Sequence, residues 1–323
     1  MSRPRIVLTR RWPAAVEDVL RERYDLVANA DDHPFSADEL AHALATADAL
    51  CPTVTDAIDA ALLDRAAPRA RLLGNFGVGF NHIDVEAARR AGLVVTNTPG
   101  VLTDCTADLA VMLMLMVARR AGAGERMVRD DAWAGWAPTQ LLGTRVSGKT
   151  LGLVGFGRIA RAVAARAHHG FGMRVLYYNP SAVPAAVTAA LNAVACDSIE
   201  AVLEAADFVS LHCPGGAATH HLIDAARLAR MPAHAYLINT ARGDVVDQQA
   251  LIDALAARRI AGAGLDVYAG EPVVPAALKT LDNVVLLPHL GSATHETRTA
   301  MGLRVVANLD AFFAGREPPD RVA

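Results

Sequence analysis

The feature that most constrains this chain is a rhythm: short runs of apolar and β-branched residues alternate with helical stretches almost from end to end. Continuous apolar runs of strand length suit strands buried on both faces, and helices between them are what parallel neighbours require. The leading class is therefore α/β with doubly wound parallel sheets. In the first hundred residues the expected strands are Ile6 to Thr9, Ala49 to Cys51, Leu72 to Asn75 and Leu93 to Asn97. Ser36 and Glu39 spell a capping box for one helix between them, and Gly92 is a fitting residue just past the end of another. A long helical segment, Thr103 to Ala121, then interrupts the alternation. The pattern restarts at Thr150 to Val154, which suggests a domain boundary. Further strands are expected near Arg174 to Tyr178, Phe208 to Leu211, Tyr236 to Asn239, Gly262 to Asp266 and Val284 to Leu287.

A length of 323 residues is compatible with two domains of about 150 residues each. Apolar residues form 53% and charged residues 20%, which excludes a disordered or polyelectrolyte chain. With Lys+Arg 31 against Asp+Glu 34 and a net charge of -3, nothing in the totals recruits nucleic acid or an anionic membrane. The longest apolar run, Leu109 to Ala118, is closed by Asp108 on one side and Arg119 and Arg120 on the other. It falls short of the ~20 residues that span a bilayer and reads as a buried helix. The opening MSRPRIVLTRRW carries no apolar signal segment, and Cys51, Cys105, Cys196 and Cys213 show no C-x-x-C spacing. A cytoplasmic protein with reduced thiols and no membrane partner is expected. There is no solenoid repeat, and the alanine-rich segment Ala182 to Ala195 reads as loop and surface helix.

Directly after the strand TLGLV comes GFGRIA, with Gly155, Gly157 and Ala160 in the three small positions of G-x-G-x-x-G/A. The first glycine permits a tight strand-to-helix turn, the second lets a pyrophosphate approach the backbone, and the small third residue lets helix and strand pack closely. Arg158 adds a positive charge there. A glycine pattern alone could be a bare βα turn, but its place between strand and helix favours dinucleotide binding. NAD-specific loops usually carry an acidic residue about 20 positions on, to hold the ribose 2′-hydroxyl. Here that place is Asn179, and no Asp or Glu occurs between Gly155 and Cys196. The arginine that would clamp a 2′-phosphate is absent beside it as well. Weak selectivity between NAD and NADP is expected, leaning slightly to NADP(H).

Three later segments each place an ionisable residue at a strand end or in a loop: Arg242 in NTARGDVVD, Glu271 in LDVYAGEP and His289 in LLPHLGSAT. Ligands of open α/β sheets bind at the carboxyl ends of strands, so the three can converge. An arginine fork grips a carboxylate at two points and polarises a neighbouring carbonyl. A histidine can hand a proton to the carbonyl oxygen as hydride arrives at carbon, and a carboxylate can fix its ring. Singly, each has an ordinary structural reading: Glu271 before Pro272 as a turn residue, Arg242 as a solvated charge, His289 as a capping or core histidine. Together they suit reduction of a ketoacid. The pairs His168, His169 and His220, His221 are adjacent in sequence and on a helix would not face one another as ligands, so no metal site is expected.

These residues resemble the D-isomer-specific 2-hydroxyacid dehydrogenase family, most of all its glyoxylate/hydroxypyruvate reductases. The likeness runs through NFGVGFNHIDV, NTPGVLTDCTADLA, LVGFGRIA, NTARGDVVD, GAGLDVYAGEP and LPHLGSATHET. It implies a Rossmann nucleotide-binding domain over residues 100–289 inserted in a flavodoxin-like substrate domain made of 1–99 and 290–323, with a homodimer built on a segment of about 100–148. Carried over, His289 is the acid/base, Glu271 its partner and Arg242 the residue that orients the substrate. Val78 and Gly79 offer backbone N–H groups to the substrate carboxylate, while Leu102, with the region around Phe76, shapes the side-chain pocket. Trp136 resembles a tryptophan that enters the partner subunit's site, although Trp133 is close by and both could be core or interface aromatics. Asp266 matches the residue that holds the nicotinamide carboxamide, and Thr106 matches a cofactor contact. The implied cofactor-binding set also includes Ile159, Cys213, Pro214, Thr240, Ala241 and Gly291.

Departures narrow the resemblance. Ala160 replaces a more usual glycine, the family's formate dehydrogenases have a glutamine where Glu271 stands, and the regulatory extension of many phosphoglycerate dehydrogenases is missing. The expected reaction is hydride transfer between NAD(P)H and a small 2-oxoacid, glyoxylate or hydroxypyruvate, giving the D-2-hydroxyacid. Alternatives are a bulkier 2-ketoacid or, from another class, a corepressor-like protein that senses dinucleotide without turning it over.

Overall fold

The computed structural model describes residues 3–322. They form two compact units, one from the chain up to Leu102 together with the chain from Ser292 onward, the other from Thr103–Gly291. The crossings lie two or three residues beyond the 99/100 and 289/290 boundaries expected, which keeps His289 and Gly291 in one unit.

The first unit carries β1 (Arg5–Leu8), β2 (Asp25–Val27), β3 (Ala49–Cys51), β4 (Leu72–Gly74) and β5 (Val94–Thr96). They make a parallel sheet in the order β2-β1-β3-β4-β5, the flavodoxin-like winding. Successive side chains alternate between two cores, as strand geometry demands. Ile6, Leu8, Ala49, Cys51 and Leu72 join one, and Val7, Leu50 and Leu73 join the other. Helix His295–Phe313 covers the first of these with Met301, Val305, Val306 and Leu309, a 3.6-residue stripe. Beyond that helix the chain returns to β5, where Val322 N–H donates to Val95 O at 2.7 Å and Arg304 grips Asp320 at 2.7 and 2.6 Å.

The second unit holds β6 (Thr150–Val154), β7 (Arg174–Tyr178), β8 (Ala193–Ala195), β9 (Phe208–Leu211), β10 (Tyr236–Asn239), β11 (Gly262–Leu265) and β12 (Val284–Leu286). The order β12-β11-β10-β9-β6-β7-β8, again all parallel, is the Rossmann winding with one added strand. The winding reverses between β6 and β9, and open α/β sheets bind their ligands outside the carboxyl ends of the strands at such a reversal. Helix Thr103–Ala118 lies on this sheet through Thr106, Ala107, Ala110, Leu113, Met114 and Val117.

Three expectations are corrected. Strands β2 and β8 were not anticipated, and β8 falls in the alanine-rich segment read as loop and surface helix. Both are three-residue sheet edges, and Val194 is exposed, so neither shows a buried apolar run. The segment Thr103 to Ala121 is not one helix, because Arg120 turns left-handed at φ 53° and a second helix, Ala121–Arg129, follows. The apolar run Leu109 to Ala118 is buried on one face only, with Met112 39% exposed. Among the described residues no helix is long and apolar enough to cross a membrane, and none of the four cysteines is in a disulfide.

Candidate active site

Gly155 follows β6 with φ +85°, a left-handed turn that a side chain would strain. A Cβ there would lie 2.9 Å from the carbonyl carbon and oxygen of His212 after β9, so glycine lets the two strand ends meet at the reversal point. Gly157 caps helix Arg158–Ala165 without any side-chain cap, and nothing lies within 4 Å of where its Cβ would be. The first N–H groups of that helix are thus open to an anion. Arg158 is exposed there, Ile159 packs its edge against the core, and Ala160 is fully buried. Asn179, just past β7, accepts the Phe156 N–H on Oδ1 at 3.0 Å and donates from Nδ2 to Ser181 O and Oγ at 2.8 and 3.0 Å. Its carboxamide braces the glycine loop.

The other strand ends lie along the same side of the sheet. From β6 to β12 is four strand spacings, roughly 19 Å, the scale of an extended dinucleotide. Thr240, at the end of β10, has a buried hydroxyl with no protein partner. An open helix end at β6, a bare glycine and an orphaned hydroxyl four residues before Asp244 all fit a dinucleotide laid along this edge. Ala241 N–H donates to Asn239 Oδ1 at 3.0 Å, and Asn239 Nδ2 donates to Arg242 O at 2.9 Å, so a buried asparagine folds the turn that carries Arg242. Burial pulls the Arg242 guanidinium below its usual range, against the pull of Glu271 and Asp244.

At the end of β12, His289 adopts φ +56°, an uncommon conformation for a residue with a Cβ. Its N–H donates to Asp266 O at 2.9 Å, and the Leu290 and Gly291 N–H groups donate to Asp266 Oδ1 and Oδ2 at 2.6 and 2.8 Å. Thr106 closes the turn, its hydroxyl donating to Gly291 O at 2.9 Å. Burial raises the Asp266 carboxyl, and these N–H groups oppose the rise. Glu271 Oε2 lies 2.8 Å from His289 Nδ1, and Oε1 accepts the Tyr268 N–H at 2.9 Å. Burial pushes the Glu271 carboxyl up, but the His289 hydrogen bond, with the Tyr268 N–H and Arg242, holds it below the usual carboxylate range. An ionised carboxylate only accepts, so Nδ1 carries the proton and Nε2 is left for chemistry.

In the first unit, the loop after β4 has its carbonyls turned inward. Gly77 O and Gly79 O accept from Asn75 Nδ2 at 3.1 and 3.0 Å, and Val78 O accepts from Asn97 Nδ2 at 2.9 Å. Across a trans peptide C=O and N–H point opposite ways, so the Val78 and Gly79 N–H groups face outward, an arrangement that receives an anion. Leu102 and Phe76 belong to the packing of this unit, Phe76 with its ring 4.6 Å from Trp12.

The remaining expected residues are distributed as follows. Cys213, half-buried after β9, has its thiol pushed up to about 11 by burial, and Pro214 beside it is exposed. Trp136 is 82% and Trp133 54% exposed, so neither is a core aromatic. The histidine pairs do face one another: His220 and His221 lie in a turn with rings stacked at 3.9 Å, and His168 and His169 meet at 4.9 Å in a π-helical turn. Among the described residues no metal-ligating group of three or more forms. Sequence reading passed over Asn75, Asn239, Gly243 and Tyr268. The signal for the asparagines was available, since a polar residue ends an otherwise apolar strand.

The sequence model described as "D-isomer specific 2-hydroxyacid dehydrogenase, NAD binding domain" matches residues 111–291. The chain belongs to this dehydrogenase family. It is 44% identical to a glyoxylate reductase of Thermococcus litoralis over 324 residues, covering 99% of this chain and 97% of the relative. It is 37% identical to the glycerate dehydrogenase of Hyphomicrobium methylovorum, covering 98% of each. Among solved structures, an NADPH-dependent glyoxylate/hydroxypyruvate reductase from Sinorhizobium meliloti, crystallised with NADP and malonate, superposes with a TM-score of 0.88 at 34% identity, covering 100% of this chain and 97% of that one. Like other members of the family, this dehydrogenase has an NAD(P)-binding domain, here the unit Thr103–Gly291.

Proposed function

We propose that this dehydrogenase reduces small 2-oxoacids, glyoxylate or hydroxypyruvate, to the 2-hydroxyacid, of D configuration where the product is chiral. Bound NAD(P)H supplies the hydride to the carbonyl carbon. The observation that carries the reading is the His289–Glu271 pair at 2.8 Å, standing at the strand end two places from Arg242. With Nδ1–H fixed by Glu271, the protonated His289 ring presents Nε2–H and gives that proton to the carbonyl oxygen as negative charge develops there, leaving the neutral Nδ1–H imidazole. Arg242 holds the carboxylate and polarises the carbonyl. In the first unit, Val78 and Gly79, through their N–H groups, and Leu102 are the substrate residues that the family resemblance implies. Steady-state kcat/KM for glyoxylate, hydroxypyruvate and pyruvate, each with NADH and NADPH, tests the reading. Turnover of none of the three would refute it.

NADPH is the favoured cofactor in this reading, NADH the second. Support comes from Asn179, a neutral residue where a carboxylate would repel the 2′-phosphate, and from exposed Arg158 at the glycine loop. Gly155, Gly157, Ile159, Thr106, Cys213, Pro214, Thr240, Ala241, Asp266 and Gly291 line the cofactor's course in the same reading. The protein acts as a cytoplasmic homodimer. Helix Ala121–Arg129 has no buried residue, Leu142, Trp133 and Trp136 are exposed, and an apolar groove of about 660 Å³ runs along Val111, Met112, Leu115, Met116 and Phe171. Light scattering should give about twice the chain mass, and Met112→Glu should reduce it toward the monomer.

A further inference from the structure

The loops that carry Arg242, Glu271 and His289 come from three different strands, yet one residue touches all three. Tyr268, 7% exposed, sits two residues past Asp266. Its backbone N–H holds Glu271 Oε1 at 2.9 Å. Its hydroxyl donates to Leu287 O at 2.9 Å, two residues before His289, with Leu265 O at 3.3 Å behind. Its own carbonyl lies flat against Gly243, the residue after Arg242, so closely that a Cβ on Gly243 would overlap the Tyr268 carbonyl and the Ala269 nitrogen. Ala269 N–H is pinned in turn by Gln248 Oε1 at 3.1 Å.

We propose that Tyr268 is the positioning residue that keeps the His289 imidazole and the Glu271 carboxylate in register with Arg242. The idea rests on the reductase reading above for its kinetic consequences, but its geometry stands without it. A hydroxyl in this place fixes the β12 end relative to β11, and the backbone N–H of the same residue fixes the carboxylate that aligns the ring. Two ends of one hydrogen-bonded pair are therefore set by one side chain and its peptide. Burial pushes the phenol up to about 12, so it remains a donor across the working range of an enzyme. Gly243 completes the device, because only a residue without Cβ lets the Tyr268 peptide abut the arginine turn.

Tyr268→Phe removes the hydroxyl and leaves the ring and the N–H. Loss of one hydrogen bond predicts a fall in kcat of roughly fivefold to tenfold. KM for the oxoacid and Kd for NADPH, measured by fluorescence titration, should stay within about twofold. The Nδ1–H proton of His289, visible by NMR in 15N-histidine-labelled protein while Glu271 holds it, should broaden or vanish in the variant. Gly243→Ala should lower kcat further while dinucleotide Kd is retained. Unchanged kcat with an unchanged Nδ1–H signal in Tyr268→Phe would overturn the proposal, and so would a loss shared equally by kcat, NADPH affinity and melting temperature. If the wild-type protein turned over no 2-oxoacid, the reductase reading would fail while the NMR comparison still decided the role of Tyr268.

Discussion

Asp266 folds the turn on which His289 stands: its carbonyl takes the His289 N–H at 2.9 Å, and its two carboxylate oxygens take the next two N–H groups. A left-handed histidine costs about 1–3 kcal/mol of backbone strain and persists only where its surroundings over-determine it. Asp266→Asn exchanges one accepting oxygen for a donor that faces an N–H, and should destabilise the unit by about 1–3 kcal/mol. Urea unfolding measures the loss, and kcat should drop with it because the ring above loses its support. A variant of wild-type stability would mean that the turn is held elsewhere.

His289→Asn should lower kcat by roughly 10²- to 10⁴-fold, the usual contribution of a placed general acid. Dinucleotide Kd should hardly change, since the ring is the proton donor and not a phosphate ligand. Glu271→Gln should cost less, because an amide can keep the ring in place while losing the charge that fixes the Nδ1–H tautomer. Single-turnover reduction in stopped flow separates these effects from product release. Equal rates in wild-type and His289→Asn protein would remove the histidine from the chemistry.

Much of this arrangement was legible in the chain itself. Strand runs such as TLGLV and YLIN gave the parallel sheets because both faces of such strands are buried, and GFGRIA gave the phosphate end. The edge strands Asp25–Val27 and Ala193–Ala195 were hidden because a half-exposed edge lacks that apolar run. The ionisable residues stood out in sequence, whereas their supports did not. Asn75, Asn179, Asn239 and Asp266 each end or follow a strand and fold the next loop with the side chain. Polar groups of this kind look like turn residues until their partners are seen. Tyr268 reads as one more core aromatic, since its use of hydroxyl, N–H and carbonyl together is a three-dimensional fact.

Asn179→Ala should weaken NADH and NADPH binding by similar factors, because the lost carboxamide braces the glycine loop through Phe156 N–H at 3.0 Å. The ratio of the two Kd values should stay within about twofold of wild type. Asn179→Asp keeps an oxygen for the Phe156 N–H and adds a charge, so it should disfavour NADPH selectively, by about tenfold or more for a like charge a few ångströms from the 2′-phosphate. Fluorescence titration with both cofactors gives the ratios. A ratio that moved as far in the alanine variant as in the aspartate variant would show that Asn179 contacts the ribose directly.

Stability should begin to fall in mild acid. Burial pushes the His212 imidazole down to about 4, its Nε2 lying 2.9 Å from Ser210 Oγ under the glycine loop. An unfolded histidine titrates near ~6.5. Between those values the unfolded chain binds a proton that the folded protein refuses, so stability rises with pH through this window and is lost as pH falls through it. Glu271 acts in the same direction lower down, because its folded carboxyl is held below the ordinary value of about 4.3 and its contribution disappears only as pH falls past that point. His212→Gln should therefore flatten the stability profile between about pH 6.5 and 4 and leave the steeper acid limb below it. Urea unfolding at about pH 7, 5.5 and 4.5 checks this, and parallel profiles for the two proteins would show that the buried ring is not the source of the slope.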